Sequence, residues 1–86
     1  MARIEFTETA AGGTGIEADL LYELGMMYAT GRDCDMDMIA AHKWFNIAAI
    51  KGSDRAALMR AELAAIMNKA EIAKALRDAR QWMTMH

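Results

Sequence analysis

The residues with side chains suited to chemistry gather in one short stretch, Gly31 to Met38, where Asp33, Asp35 and Asp37 alternate around the only cysteine, Cys34. Carboxylates on alternate residues open the calcium loop of an EF-hand. That loop also needs glycine at its sixth position and a bidentate glutamate at its twelfth. Counted from Asp33, those positions hold Met38 and Trp44, so the calcium loop cannot be built. The spacing instead marks a helix start: Asp37 is a good N-cap, and all three carboxylates favour the positive end of the helix that follows. Cys34 and His42 lie eight residues apart, but two ligands fall short of the four a structural zinc site needs. Aspartates on both sides disfavour the Cys34 thiolate, so it is expected to act as a small half-buried hydrophobe. Gly12-Gly13-Thr14-Gly15 resembles a phosphate loop only on the surface. It lacks the preceding strand and the Gly-Lys-Ser/Thr ending, and reads as a linker. His42 and His86 are the only histidines, and neither forms a recognisable nucleophile–base pair. No catalytic, cofactor or metal site is expected, and the chain reads as a non-enzyme.

Charge and composition narrow the partners. Arg55, Arg60, Lys69, Lys74, Arg77 and Arg80 bias the C-terminal half toward positive charge, but Glu62, Glu71 and Asp78 interleave with them. That mixture suits a solvated face with ion pairs along a helix. With a net charge of −2 there is no broad basic surface of the kind nucleic-acid binding needs. The chain has no proline and nine methionines, and its 55% apolar share is dominated by alanine. Strong helix formers abound and β-branched residues are scarce, which predicts an all-α class. A single cysteine fits a reducing compartment. The N-terminus lacks the apolar core of a secretory signal, and no apolar run reaches membrane-spanning length. A cytoplasmic protein is expected.

Four helices would position these residues, over about 15–30, 38–51, 54–67 and 69–84. Residues 1–13 show no sustained period and read as a flexible lead, with Ile4 and Phe6 able to dock on a neighbour; the helical domain occupies 14–86. Thr14 and Glu17 have the spacing of a capping box, after which Leu20, Leu21, Leu24 and Tyr28 recur as an apolar stripe. Gly25 sits beside that stripe, where glycine permits close approach of another helix. Gly31 ends the first helix as a left-handed cap. In the second helix Ala41, Phe45 and Ala48 form the inner stripe, widened by Ile39, Trp44 and Ile50, and Gly52 terminates it. Ser53 caps the third, whose predicted buried face is Ala56, Met59, Leu63 and Ile66. Asn68 and Glu71 have capping-box spacing again, so the chain breaks between Met67 and Lys69. The fourth helix repeats Ile72, Leu76, Ala79 and Met83 at four- and three-residue steps. Short links imply antiparallel neighbours, and hence two antiparallel helical hairpins in a row.

The hairpins resemble copies. Ile16 placed on Gly52 brings Leu20 onto Ala56, Leu24 onto Arg60, Gly25 onto Ala61 and Tyr28 onto Ala64. Asp37 placed on Asn68 brings Ala41 onto Ile72, Phe45 onto Leu76 and Ala48 onto Ala79. Such internal similarity is the signature of a solenoid. Residues 18–52, through Leu24-Gly25, Tyr28, Gly31, Asp37, Ala41, Trp44-Phe45, Ala48-Ala49 and Gly52, closely resemble the Sel-one-like repeat, a tetratricopeptide-like α/α superhelix unit. Residues 53–83 resemble the degenerate closing segment of short bacterial members, without the Leu-Gly and Tyr signposts. The family's inter-helix loop usually carries a second glycine, and here Asp33 and Asp35 stand in that stretch.

The resemblance implies a scaffold that holds other proteins on a helical face, with no catalysis by the repeat itself. Solenoids need about three repeats for stability, so a chain with fewer is expected to leave an apolar flank for a partner or for itself. The expected function is a protein-interaction adaptor whose binding surface comprises Tyr22, Met26 and Met27 of the first helix with Met59 and Arg60 of the third. Flexible methionine suits adaptable surfaces. The alternative is a homo-oligomeric assembly unit, a dimer in the first instance, without a separate partner; a small-ligand or RNA binder ranks below both. Trp44 and Phe45 are assigned to packing between helices, and Trp82 to an edge contact.

Overall fold

A computed structural model describes residues 9–85, with side chains described from Gly15 onward. The expected contacts of Ile4 and Phe6 fall outside the described residues, as does His86. Four helices follow one another, α1 (Thr9–Thr30), α2 (Met38–Ile50), α3 (Asp54–Ile66) and α4 (Lys69–Met85), and there is no strand among the described residues. The fold is all-α, as composition and periodicity predict.

Helix α1 begins earlier than expected. It already contains residues 9–13, assigned above to a flexible lead, and the Gly12-Gly13-Thr14-Gly15 run assigned to a linker. Position 14 therefore lies inside the helix and not at its N-cap. Glycine weakens a helix by about 1 kcal/mol per residue, whereas proline breaks it. This segment holds glycines but no proline, and Ala10 and Ala11 favour the helical state.

The other boundaries lie where their capping residues put them. Gly31 adopts φ +73°, and the amides of Gly31 and Arg32 both donate to the Met27 carbonyl, at 2.8 and 3.0 Å, closing α1. Asp37 is extended at φ −148°, and its carboxylate accepts the Ala40 amide at 3.0 Å. Its own amide donates to the Tyr28 carbonyl at 2.9 Å, tying the start of α2 to the end of α1. Ser53 Oγ accepts the Ala56 amide at 3.1 Å. Asn68 and Glu71 form a complete capping box: the Asn68 amide donates to Glu71 Oε1 at 2.9 Å, and the Glu71 amide to Asn68 Oδ1 at 2.8 Å.

Helices α1 and α2 are antiparallel, with Glu17 facing Lys51 at one end and Tyr28 bonded to Asp37 at the other. Helix α2 is the element the other three share, for α1, α3 and α4 each pack mainly against it. Its Ala41, Phe45, Ile47 and Ala48 are wholly buried, meeting Leu21 of α1, Ala56 and Leu63 of α3, and Ala79 of α4. The Phe45 ring lies directly on the α1 backbone at Gly25. A Cβ there would stand 2.5 Å from Phe45 Cδ1 and 2.6 Å from Cε1, inside any real carbon–carbon contact.

That contact corrects the predicted face of α1. At about 100° per residue, the side centred on Gly25 carries Ala18 and Leu21, both buried, while Leu20 falls on the opposite side and is 64% exposed. Ile66, predicted in the core of α3, is 72% exposed because Ala56, Leu63 and Met67 already fill the space against α2. Leu76 and Ile50 also reach solvent. The buried residues of α4 are Ala75 and Ala79, whose small side chains bring it close to α2 and leave Leu76 beside the contact.

Gly25→Ala is expected to destabilise the fold by about 1–3 kcal/mol, as overpacking does, although alanine is the better helix former; urea unfolding measures the change. Phe45→Ala should cost about 3–5 kcal/mol. Asp33, at φ +65°, is the one described non-glycine residue with positive φ. Asp33→Gly should therefore stay within about 1 kcal/mol of wild type, whereas Asp33→Val should cost about 1–3 kcal/mol.

Candidate functional site: a groove between the second and fourth helices

The acidic stretch that opened the sequence is a turn. Asp37 caps α2, Asp33 holds the left-handed corner, and Cys34 Sγ, partly buried, lies 3.7 Å from the Met27 carbonyl. Among the described residues no three His, Cys, Asp or Glu side chains are gathered as a metal ion would need.

The predicted binding residues are mostly turned inward. Tyr22 packs its ring on Phe45, centroids 5.7 Å apart, and the Arg55 guanidinium of α3 lies over the Tyr22 ring at 4.4 Å. Met26 and Met59 pack against the core. Arg60 Nη1 donates to Asn46 Oδ1 at 2.8 Å, joining α3 to α2. These positions therefore do not form one outward surface. The reason is the rotation of α1 set by Gly25: it turns Tyr22 toward α3 and gives the outer face to Ile16, Leu20 and Glu23. Of the predicted α1 residues, Met27 alone lies along that outer line, and it is half-buried. Trp44 meets Trp82 edge to face, centroids 5.4 Å apart, with Lys43 over the Trp44 ring at 4.4 Å.

One open apolar surface is concave. An open groove of about 460 Å³ runs between α2 and α4, lined by Asn46, Ile50, Leu76, Ala79, Arg80, Met83 and Thr84. Alanines at 75 and 79 create it: they bring the helix backbones together, so the longer Leu76 and Met83 stand at the rim with Ile50 opposite. Among the described residues the lining contains no carboxylate. Its fixed charge is Arg80, which pairs with no carboxylate among the described residues, and the Arg60 guanidinium is held at Asn46 beside it. Leu76 at position 76 was legible as apolar periodicity. Its role at a rim depends on which neighbours are alanine.

His42, one turn before Asn46 on α2, is 2% exposed, and its Nδ1 has no hydrogen-bond partner. Burial lowers its pKa below the ordinary histidine value, and the positive charge of Arg60 lowers it further. The folded state therefore resists protonation of His42 while the unfolded chain accepts it near pH 6.5. Stability contributed by the neutral ring is complete above that value. It falls as pH drops through it toward the lower folded pKa. Denaturant melts should show stability decreasing between about pH 7.5 and about pH 5.5, with a shallower decrease in His42→Leu.

No family model matches this chain, and no curated protein or solved structure matches it. No described helix is long and apolar enough to cross a membrane.

Proposed function

We propose that this chain is a non-enzymatic protein-interaction module of short α/α-solenoid type, and that it receives a helix of its partner in the groove between α2 and α4. The observation that carries this reading is the groove's chemistry: Ile50, Leu76 and Met83 offer apolar surface, and among the described residues Arg80 pairs with no carboxylate and none lines the groove. An amphipathic helix laid in such a groove reads as apolar anchors at helical spacing. Its complement to Arg80 is a carboxylate beside those anchors, which would steer the encounter and fix the register.

The architecture supports the same reading. Residues 18–52 form a hairpin closed by Gly31 and opened again by Asp37, similar to the Sel-one-like repeat in the positions named above. A stack of so few repeats ends with an uncovered flank, because each repeat buries its apolar face on the next. The revised contact set is Ile50, Leu76, Arg80 and Met83, in place of Tyr22, Met26 and Met59.

Affinity capture from native extract with wild-type chain and with Leu76→Asp tests the proposal. Leu76 is 40% exposed, so the variant should melt within a few degrees of wild type. A protein retained by the wild type and lost by the variant supports the groove. An identical retained set from both would overturn it.

A further inference from the structure

The outer face of α1 has the composition that the groove lacks. Ile16 and Leu20, 67% and 64% exposed, stand one turn apart on the side directly opposite the core. Asp19 and Glu23 flank them on the same side, so the face is an apolar pair bordered by carboxylates. Along its whole length α1 carries three acidic residues and no basic one. Glu17 and Glu23 make only long ion pairs, each 3.5 Å, to Lys51 and Arg32, and Asp19 makes none among the described residues. Helix α4 has the opposite balance, with four basic residues against two acidic ones. Arg77 and Arg80 pair with no carboxylate there, since Asp78 is taken by Lys74 at 3.0 Å.

We infer that the occupant of the α2–α4 groove is the outer face of α1 from a second copy of this chain. Ile16 and Leu20 seat against Leu76 and Met83, and Asp19 and Glu23 meet Arg80 and Arg77. This rests on the reading of the groove as a docking surface for a helix, and it names that helix. The two surfaces are different patches of one molecule, so the contact is head-to-tail. Each copy then offers a free groove at one end and a free α1 face at the other, and assembly continues as a chain or closes as a ring. Physically the second copy's α1 supplies the helix that a further repeat would have placed on α4. A contact of either patch with its own copy is disfavoured, because like charges would face each other. The area offered is one helix face, which sets the association at the weak end of specific contacts.

Light scattering with sedimentation on the full chain tests this. The weight-average mass should rise above 9.5 kDa as concentration increases from about 10 μM to about 1 mM, and the rise should diminish as salt is raised. Leu20→Asp and Arg80→Glu, both at exposed positions, should each weaken association at least about tenfold while leaving the melting temperature near wild type. The decisive arm is a charge exchange. A chain carrying Asp19→Lys with Glu23→Lys and a chain carrying Arg77→Glu with Arg80→Glu should each fail to self-associate, and should associate when mixed. A mass fixed at the monomer value throughout overturns the inference, as does a Leu20→Asp chain that associates like wild type or a mixture that shows no recovery. A monomeric chain that still loses a captured protein on Leu76→Asp overturns this inference alone. A monomeric chain with no such loss overturns the groove reading as well.

Discussion

The rest of the structure depends on a phenylalanine ring lying on bare helix backbone. Phe45 is wholly buried, and the place it occupies on α1 exists because residue 25 has no Cβ. Glycine inside a helix costs about 1 kcal/mol relative to alanine. Burying a phenylalanine is worth several times that when measured by truncation, so the exchange favours the glycine. The contact fixes the distance between α1 and α2, and it also fixes the rotation of α1 about its own axis. With Gly25 facing inward, Ala18 and Leu21 must face inward as well, Tyr22 turns toward α3 and Arg55, and Ile16, Leu20 and Glu23 turn to solvent.

Helix α2 then carries the fold, since each of the other helices packs chiefly on it. The two sides it shows to α4 have different characters. On one, Trp44 and Trp82 meet edge to face with Lys43 over the ring. On the other, Ala79 closes the gap between backbones, and the larger side chains around it cannot reach across, leaving the groove. The same exchange of large for small residues that draws α4 in at Ala75 and Ala79 leaves Leu76 and Ile50 partly uncovered. The result is an uncovered apolar flank beside Arg77 and Arg80, which pair with no carboxylate among the described residues, on a molecule whose first helix is acidic outside.

The loop between α1 and α2 shows how residues suited to chemistry can serve backbone geometry instead. Asp33 occupies a left-handed conformation that is ordinarily a glycine's, and aspartate is among the few other residues that visit it at modest cost. Asp37 satisfies an amide at the start of α2, and Cys34 faces a carbonyl at the end of α1. The reversal of chain direction is thereby made within seven residues, and the carboxylates are used up as caps and corners without converging on a common point.

Much of the fold was legible in the residues themselves, because helix ends are local events. Gly31, Asp37, Ser53 and the Asn68–Glu71 pair each act within one turn of their own position, and all lie at the boundaries their types imply. The inner stripe of α2, Ala41, Phe45 and Ala48, was legible from its three- and four-residue spacing, whereas Ile47, equally buried on another side, was not, because α2 is packed by all three other helices. The start of α1 was less so, since glycine lowers helix stability without forbidding the helix. What only tertiary structure decided is which apolar residues of α1, α3 and α4 lie inside. Leu20, Ile66 and Leu76 have the right spacing for a core and lie partly or wholly outside it. Several helical faces satisfied periodicity equally well: on α1 the choice was made by the fit of the Phe45 ring against Gly25, and on α3 and α4 by which residues close against α2.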